Sequence, residues 1–213
     1  MAAASKRREA SGDESVVRER ILEAAFMAFK ESGYAAASTL EIATRARVSK
    51  RELYALVGNK QQMLVACIQE RARRLEAPAN LPVPVDRATL ARVLTLLGAQ
   101  LLREISDPTV IAVFRLAIAE AVHAPEVAQA LSTIGRETSR AALRAIVMQA
   151  QASGLLDGHP AELAEQFHAL LWGDIMIDLL LGVAERPASR AIERRAHNAA
   201  EAFLRLHPQM APT

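Results

Sequence analysis

The chain has 213 residues, with 26 Lys and Arg against 24 Asp and Glu, so it is close to neutral and long enough to bury a substantial core. Its single cysteine, Cys67, excludes an internal disulfide, and no cysteine or histidine stands at zinc-finger spacing, which fits a reducing, cytoplasmic location. Alanine and leucine dominate and no run alternates as a β-strand would, so we expect an all-α protein of about nine helices.

The charge is unevenly distributed along the chain. Residues 1–75 contain 14 Lys or Arg and 9 Asp or Glu, whereas the remainder contains 12 and 15. A basic N-terminal third favours contact with a polyphosphate at that end only. Residues 1–14 are polar and basic without an apolar stretch, so we predict a disordered basic arm there rather than an export signal.

The first predicted helix follows this arm, between Ser15 and Ser32. Its apolar residues recur at helical spacing on one broad face, and Gly33 is a typical signal for the end of a helix. The apolar set is Ile21, Leu22, Ala25, Phe26 and Phe29.

Two short helices joined by a tight turn are predicted within residues 38–60. Ser38 and Glu41 form a capping box that starts the first of them, and Ser49 is a good N-cap for the second. Leu53 would face inward in the second helix. Its outward residues would be Lys50, Arg51, Tyr54 and Ala55. The arrangement is typical of a helix-turn-helix that places its second helix in a DNA major groove.

This stretch resembles the signature of the TetR (tetracycline repressor) family of bacterial regulators, and the resemblance extends into the first helix. The matching residues are Ile21, Leu22, Ala24, Ala25, Phe26, Phe29, Gly33, Tyr34, Ile42, Ala43, Val48, Ser49, Leu53, Tyr54, Asn59 and Lys60. Three positions depart from the family pattern. Arg47 replaces the usual turn glycine, Arg51 a small residue, and Leu56 a histidine or tyrosine that commonly holds a phosphate. A left-handed arginine at position 47 would cost about 1 kcal/mol or more.

Two kinds of DNA contact are predicted from these residues. Arginine and lysine side chains can bridge guanine acceptors in the major groove, so we expect Lys50 and Arg51, followed by Arg47, to contact bases. The predicted phosphate contacts are Thr39, Tyr54 and Lys60.

The predicted DNA-binding domain covers residues 15–60, and residues 61–213 are expected to form a larger helical domain for ligand binding and dimerisation. A connecting helix from Lys60 to about Ala77 should end at a segment with three prolines, because proline is not tolerated inside a helix. Asp86 is a suitable N-cap for the helix that follows.

Later helices are predicted after Asp107 and from Pro125 to about Gly154, with a bend or break at Gly135. The stretches Phe114–Glu120 and Trp172–Asp174 resemble the AefR-like class of TetR C-terminal domains.

The last two predicted helices, from Pro160 to about Gly182 and from Ser189 to Leu206, are apolar on more than one face. The family resemblance implies that they pair with their copies in a second subunit as a four-helix bundle. The predicted interface residues are Phe167, Leu171, Ile175, Leu179, Ile192, Ala196 and Phe203. A membrane span over Leu163–Leu181 is disfavoured because Asp174 and Asp178 would each cost about 2.5–3.5 kcal/mol near its centre.

The resemblance also implies an effector cavity inside the C-terminal helices. Residues that would line it are Phe114, Met148, His168, Trp172 and Met176. A Phe, Met or Trp at helical spacing is more often ordinary core than pocket lining, whereas His168 is explained equally well as a core or interface histidine and as a polar contact to the effector.

An enzyme is the alternative with the least support. Asp174 and Asp178 lie one helical turn apart and could hold a divalent metal, but no third ligand, phosphate loop or nucleophile accompanies them. We therefore predict no cofactor, no metal and no catalysis. The favoured function is a homodimeric regulator that binds a palindromic operator, and the family resemblance implies that it is a repressor released by a small molecule. A helical ligand-binding or scaffold protein that uses its helix-turn-helix for protein contacts is the alternative.

Overall fold

The computed structural model describes residues 2–208, with side chains from residue 14 onward, and every regular element in that range is helical. The helices are α1 (Ala2–Ala36), α2 (Thr39–Ala46), α3 (Lys50–Leu56), α4 (Lys60–Ala72), α5 (Arg87–Ile105), α6 (Pro108–Glu120), α7 (Pro125–Ala130), α8 (Glu137–Ala152), α9 (Pro160–Trp172), α10 (Ile175–Leu181) and α11 (Ser189–Leu206). A 3₁₀ turn, Arg73–Leu75, follows α4, and a π-helical turn, Leu131–Arg136, joins α7 to α8 around Gly135. The predicted all-α class is confirmed. None of the helices between residues 2 and 208 is both long and apolar enough to cross a membrane.

The N-terminal residues follow a different course from the predicted one. The backbone is helical from Ala2, where a disordered arm over residues 1–14 was predicted, because the alanine-rich start is compatible with a helix. Met1 and the side chains of residues 2–13 lie outside the described residues.

The helices form two compact units. One contains the described residues up to Arg71 together with Ala112–Ile134, and the other contains Ala72–Ile111 together with the described residues from Gly135 onward. These units do not coincide with the predicted ranges 15–60 and 61–213. The difference arises because buried residues of α6 and α7, such as Val113 and Val127, belong to the apolar core of the N-terminal unit.

The core of the N-terminal unit is built on α1. Ile21, Ala25 and Phe29 are fully buried on the predicted apolar face, and Gly33 (φ 81°) interrupts the regular helix where a C-terminal signal was predicted. Cys67 is also buried, and its thiol donates a hydrogen bond to the carbonyl oxygen of Leu22 at 3.3 Å. Burial raises the pKa of this thiol to about 12, so it is a packing residue and not a reactive nucleophile.

The second unit is organised around α5, whose N-terminus is capped as predicted. The Asp86 carboxylate accepts a hydrogen bond from the Thr89 backbone N–H at 2.6 Å. Gly98, midway along α5, allows close packing, because a Cβ there would lie 3.1 Å from a Leu171 methyl carbon and 3.4 Å from the Ala196 Cβ. Helices α9 and α11 therefore pack directly against α5.

Because α9 and α11 pack against α5, most of the residues assigned to the dimer interface are wrong. Phe167, Leu171, Ala196 and Phe203 have no exposed surface, and Ile192 is 3% exposed. These side chains form the unit's own core with α5, so they present no surface to a second subunit. Leu179 is also buried, at 6% exposure, but does not belong to this core cluster, and Ile175 is half-buried against it.

The C-terminus of α11 is anchored by one arginine at the start of α5. The Arg87 guanidinium donates hydrogen bonds to the carbonyl oxygens of Leu204 and His207, the latter at 2.7 Å, and to that of Leu155 at 3.2 Å. Carbonyls at a helix end have no partner within the helix, so Arg87 satisfies groups that would otherwise need water.

The predicted single helix from Pro160 to Gly182 is divided into α9 and α10. The break lies at Gly173 (φ 45°, ψ −132°), a conformation available only to glycine. Arg195 of α11 donates hydrogen bonds from Nε to the Leu171 carbonyl and from Nη2 to the Trp172 carbonyl, each at 2.6 Å. Arg195 thus replaces the helical hydrogen bonds that the break removes.

Candidate nucleic-acid interface

The two helices of the predicted helix-turn-helix begin where their serine caps predicted. The Ser38 hydroxyl accepts a hydrogen bond from the Glu41 backbone N–H at 3.1 Å, and the Ser49 hydroxyl accepts one from the Glu52 N–H at the same distance. Each serine thereby satisfies one of the free N–H groups at the helix start. Both caps are confirmed.

Arg47 adopts the left-handed conformation in the turn between α2 and α3 (φ 54°, ψ 46°), as the family's usual turn glycine implied. It is the one non-glycine residue with positive φ in the described part of the chain. The Arg47 N–H donates to the Thr44 carbonyl at 3.2 Å, and the Val48 N–H donates to the Ala43 carbonyl at 3.0 Å. This pattern is a Schellman motif, in which glycine is the usual left-handed residue.

Helix α3 has one buried and one exposed face. Leu53 has no exposed surface and fixes the orientation of the helix against the core of the N-terminal unit. Lys50, Arg51 and Ala55 are exposed, and the Tyr54 side chain is 44% exposed although aromatic. The outward set predicted from the sequence therefore lies together on one surface.

The arginines of this region fall into two groups. Arg45 donates to Glu31 at 2.6 Å and pairs with Glu41 at 2.8 Å, and its hydrogen bond lowers the pKa of the Glu31 carboxyl. Arg47 and Arg51, like Lys50, have no carboxylate within ion-pair distance among the described side chains. The positive charge of α2 is thus neutralised within the protein, whereas that of the turn and of α3 remains available to a partner.

Two of the predicted phosphate contacts lie next to each other. The Thr39 and Tyr54 hydroxyls are 3.3 Å apart, which links the N-terminus of α2 to the exposed face of α3. This hydrogen bond orients both side chains toward the same edge of the surface.

Lys60, the third predicted phosphate contact, has a structural role that the sequence did not indicate. Its ammonium group donates to the carbonyl oxygens of Ala35 at 3.0 Å and Ala37 at 3.3 Å, and lies 4.8 Å from the centre of the Tyr34 ring. These bonds tie the start of α4 to the end of α1. Their partners are 23 and 25 residues away in sequence, so no local pattern pointed to them.

The predicted effector-lining residues are distributed over both units. Phe114 belongs to the N-terminal unit, and the other four belong to the second unit. The prediction for Met148 is wrong, because its side chain is 59% exposed on the outer face of α8 and so lines no interior cavity. Met176 is half-buried in α10.

His168 and Trp172 lie one turn apart on α9, with ring centres 6.0 Å apart in an edge-on arrangement. The Nε2 atom of His168 and the Nε1 atom of Trp172 are both buried and lack a hydrogen-bond partner in the part of the chain that the structure describes. Burial, together with Arg140 and Arg136, lowers the pKa of His168 from 6.5 to about 4, so the imidazole is neutral at physiological pH.

Asp174 and Asp178 are not joined by a third side chain that could bind a metal ion, since no group of three metal-binding side chains occurs in the described range.

The sequence matches two family descriptions that together cover most of the chain. Residues 21–67 match the bacterial regulatory proteins of the tetR family, and residues 92–207 match the C-terminal domain described as that of an AefR-like transcriptional repressor. The chain belongs to the TetR family. It is therefore a transcriptional regulator with a DNA-binding helix-turn-helix, and the prediction that it is not an enzyme agrees with this family.

Solved structures of TetR-family proteins resemble this chain over nearly its whole length. A flavonoid-responsive regulator, FrrA, is 27% identical with a TM-score of 0.76, and the match covers 92% of this chain and 100% of that one. A TetR transcriptional regulator from Agrobacterium tumefaciens is 26% identical with a TM-score of 0.75, covering 89% and 94%. A regulator from Mesorhizobium loti, 24% identical with a TM-score of 0.74 and coverage of 91% and 98%, shares the fold. No curated protein matches the sequence.

Proposed function

We propose that this TetR-family protein is a homodimeric, cytoplasmic repressor that binds a palindromic operator and releases it when a small molecule occupies its C-terminal half. The exposed basic surface of α3 carries the DNA-binding part of this proposal. Arg47, Lys50 and Arg51 are exposed and have no ion-pair partner among residues 14–208, which is the arrangement needed to contact bases and phosphates. Thr39 and Tyr54 would hold the phosphate backbone beside them.

A DNA-binding measurement over a range of salt concentrations tests this assignment. Arg51→Ala should weaken binding to a selected operator by about 1–3 kcal/mol and relax the base preference at one position of each half-site. Arg92→Ala, which removes an exposed arginine from α5, serves as the charge-matched control and should leave binding unchanged. If neither operator nor random DNA binds with a salt-dependent affinity, the alternative of a scaffold protein is favoured instead.

The dimer is proposed to form on exposed side chains of the last three helices, a surface that retains Ile175 from the predicted interface. Apolar side chains of α10 remain exposed, with Ile177 at 59% and Leu181 at 71% exposure. An open groove is lined by Leu170, Ile175, Ala191, Arg194, Asn198 and Ala202. Large exposed apolar residues are typical of a subunit interface.

Sedimentation equilibrium distinguishes this surface from others. Leu181→Asp should convert the dimer to a monomer, because it places a charge in an apolar interface. Val83→Asp changes a side chain that is 59% exposed in the proline-containing segment and should leave the dimer intact. An unchanged dimer in the Leu181 variant would rule out this surface.

The effector is proposed to bind at His168 and Trp172. Their unpaired buried nitrogen atoms support this, because a buried polar group without a partner is costly and a ligand could supply one. Trp172 donates a hydrogen bond, and neutral His168 can donate or accept one. A planar, hydroxylated aromatic molecule has suitable chemistry, and one similar regulator is named as flavonoid-responsive. Because Trp172 is the only tryptophan of the chain, its fluorescence should change on titration with such compounds, and His168→Leu should abolish the change.

A further inference from the structure

The exposed surface of α3 contains one acidic residue, Glu52, at the third position of the helix. Successive residues of an α-helix are rotated by about 100°. With Leu53 pointing into the core, Arg51 and Ala55 lie nearly opposite to it, at the centre of the outward face. Tyr54 lies on one flank of that face and Glu52 lies on the other. Glu52 therefore lies on the opposite edge of this surface from Thr39 and Tyr54.

The Glu52 carboxylate has no ion-pair or hydrogen-bond partner among the described side chains. Residues three and four positions away in the helix are Val48, Ser49, Ala55 and Leu56, none of which is basic. Only the backbone N–H of Glu52 is engaged, by the Ser49 cap. Glu41 occupies the corresponding position of α2 and does have a partner, because it pairs with Arg45 at 2.8 Å.

An unpaired carboxylate is unfavourable on a surface that faces phosphates, because like charges repel. The repulsion is offset if the carboxylate accepts a hydrogen bond from a base. Among the groups displayed in the major groove, the N4 amino group of cytosine is the one that Glu and Asp side chains accept from. The first turn of the second helix of a helix-turn-helix is also the part that reaches the base edges.

We propose that Glu52 is a specificity-determining residue that accepts a hydrogen bond from a cytosine N4 amino group in each half of the operator. This inference rests on the proposed sequence-specific binding by α3. Glu52 lowers the affinity for DNA in general and raises the preference for cytosine at one position. The simpler role for an acidic residue in a first helical turn is to stabilise the helix dipole, which predicts no effect on base preference.

Enrichment of binding sites from a pool of duplexes with randomised half-sites separates these roles. The wild-type protein should prefer cytosine about tenfold at one position of each half-site. Glu52→Ala should lose that preference, keep the preferences at all other positions, and bind random-sequence DNA more tightly. Glu52→Gln should change the preference at the same position from cytosine to adenine, because glutamine can form two hydrogen bonds with adenine.

Glu41→Gln is the matched control, since it removes a first-turn carboxylate that follows a serine cap in the neighbouring helix. It should leave every base preference unchanged, and circular dichroism confirms that all variants are folded. If the Glu52 variants select the same sites as the wild type, the inference is overturned while sequence-specific binding stands. If the wild type enriches no sequence, the proposed function fails and the role of Glu52 fails with it.

Discussion

The left-handed Arg47 allows backbone strain and DNA contact to be separated by two substitutions at one site. Arg47→Gly and Arg47→Ala remove the same charge, but only glycine adopts φ 54°, ψ 46° without a steric penalty. The left-handed conformation destabilises an alanine by about 1–2 kcal/mol relative to glycine. Glycine in turn lowers the free energy of unfolding by about 0.4–1 kcal/mol, because it increases the conformational entropy of the unfolded chain. We therefore expect the glycine variant to be more stable than the alanine variant by about 1 kcal/mol.

Urea unfolding followed by circular dichroism measures this difference. With a slope of about 2 kcal/mol per molar urea, the midpoints of the two variants should differ by about 0.5 M. Both variants should lose DNA affinity equally and reduce the slope of log affinity against log salt by about one, since each removes one positive charge from the proposed DNA-binding surface. An alanine variant as stable as the glycine variant would refute the argument from strain. Unequal loss of DNA affinity would show that the turn conformation, and not only the charge, determines binding.

Three further outcomes are expected. Lys60→Met should destabilise the N-terminal unit by about 1–3 kcal/mol in thermal unfolding, because the carbonyls of Ala35 and Ala37 lose a charged donor. If stability is unchanged and binding to all DNA sequences is weaker, Lys60 is a phosphate contact as first predicted. Arg87→Ala should lower the free energy of unfolding, measured in urea, by about 2–4 kcal/mol and should accelerate amide hydrogen exchange at the end of α11. Arg92→Ala, which removes an exposed arginine, is the control and should change neither quantity. The folded-state pKa of His168 is about 4 and its unfolded value is near 6.5, so the unfolded chain takes up an extra proton between these values. Stability should therefore fall by up to about 3 kcal/mol as the pH is lowered through that window, and a pH series in which His168→Gln shows the same slope as the wild type would contradict this.

The features that local sequence determines were predictable. The caps Ser38, Ser49 and Asp86 are within three residues of the N–H groups they accept from, so each helix start could be placed from neighbouring residues alone. The left-handed Arg47 was expected from the family resemblance, because a glycine usually occupies this turn position in the family. The outward face of α3 was predictable because a single buried residue, Leu53, sets its orientation.

Features that depend on distant residues were not predictable. The break at Gly173 is stabilised by Arg195, which is 22 residues later in the chain and has no sequence signature as a cap. Phe167 and Phe203 were assigned to a dimer interface because an apolar face does not indicate what covers it. Helix α5 covers both of them, and Gly98 permits its close approach.

The burial of Cys67 has a practical consequence for following the protein in solution. This thiol is the only one in the chain, is buried in the core and remains protonated at neutral pH. A maleimide dye should therefore not react with it in the folded state. A cysteine introduced at exposed Ser32 would then be the single labelling point of each subunit. In the proposed dimer, energy transfer between two such labels would measure the separation of the two helix-turn-helix units with and without a candidate effector, and the native cysteine would not have to be removed first.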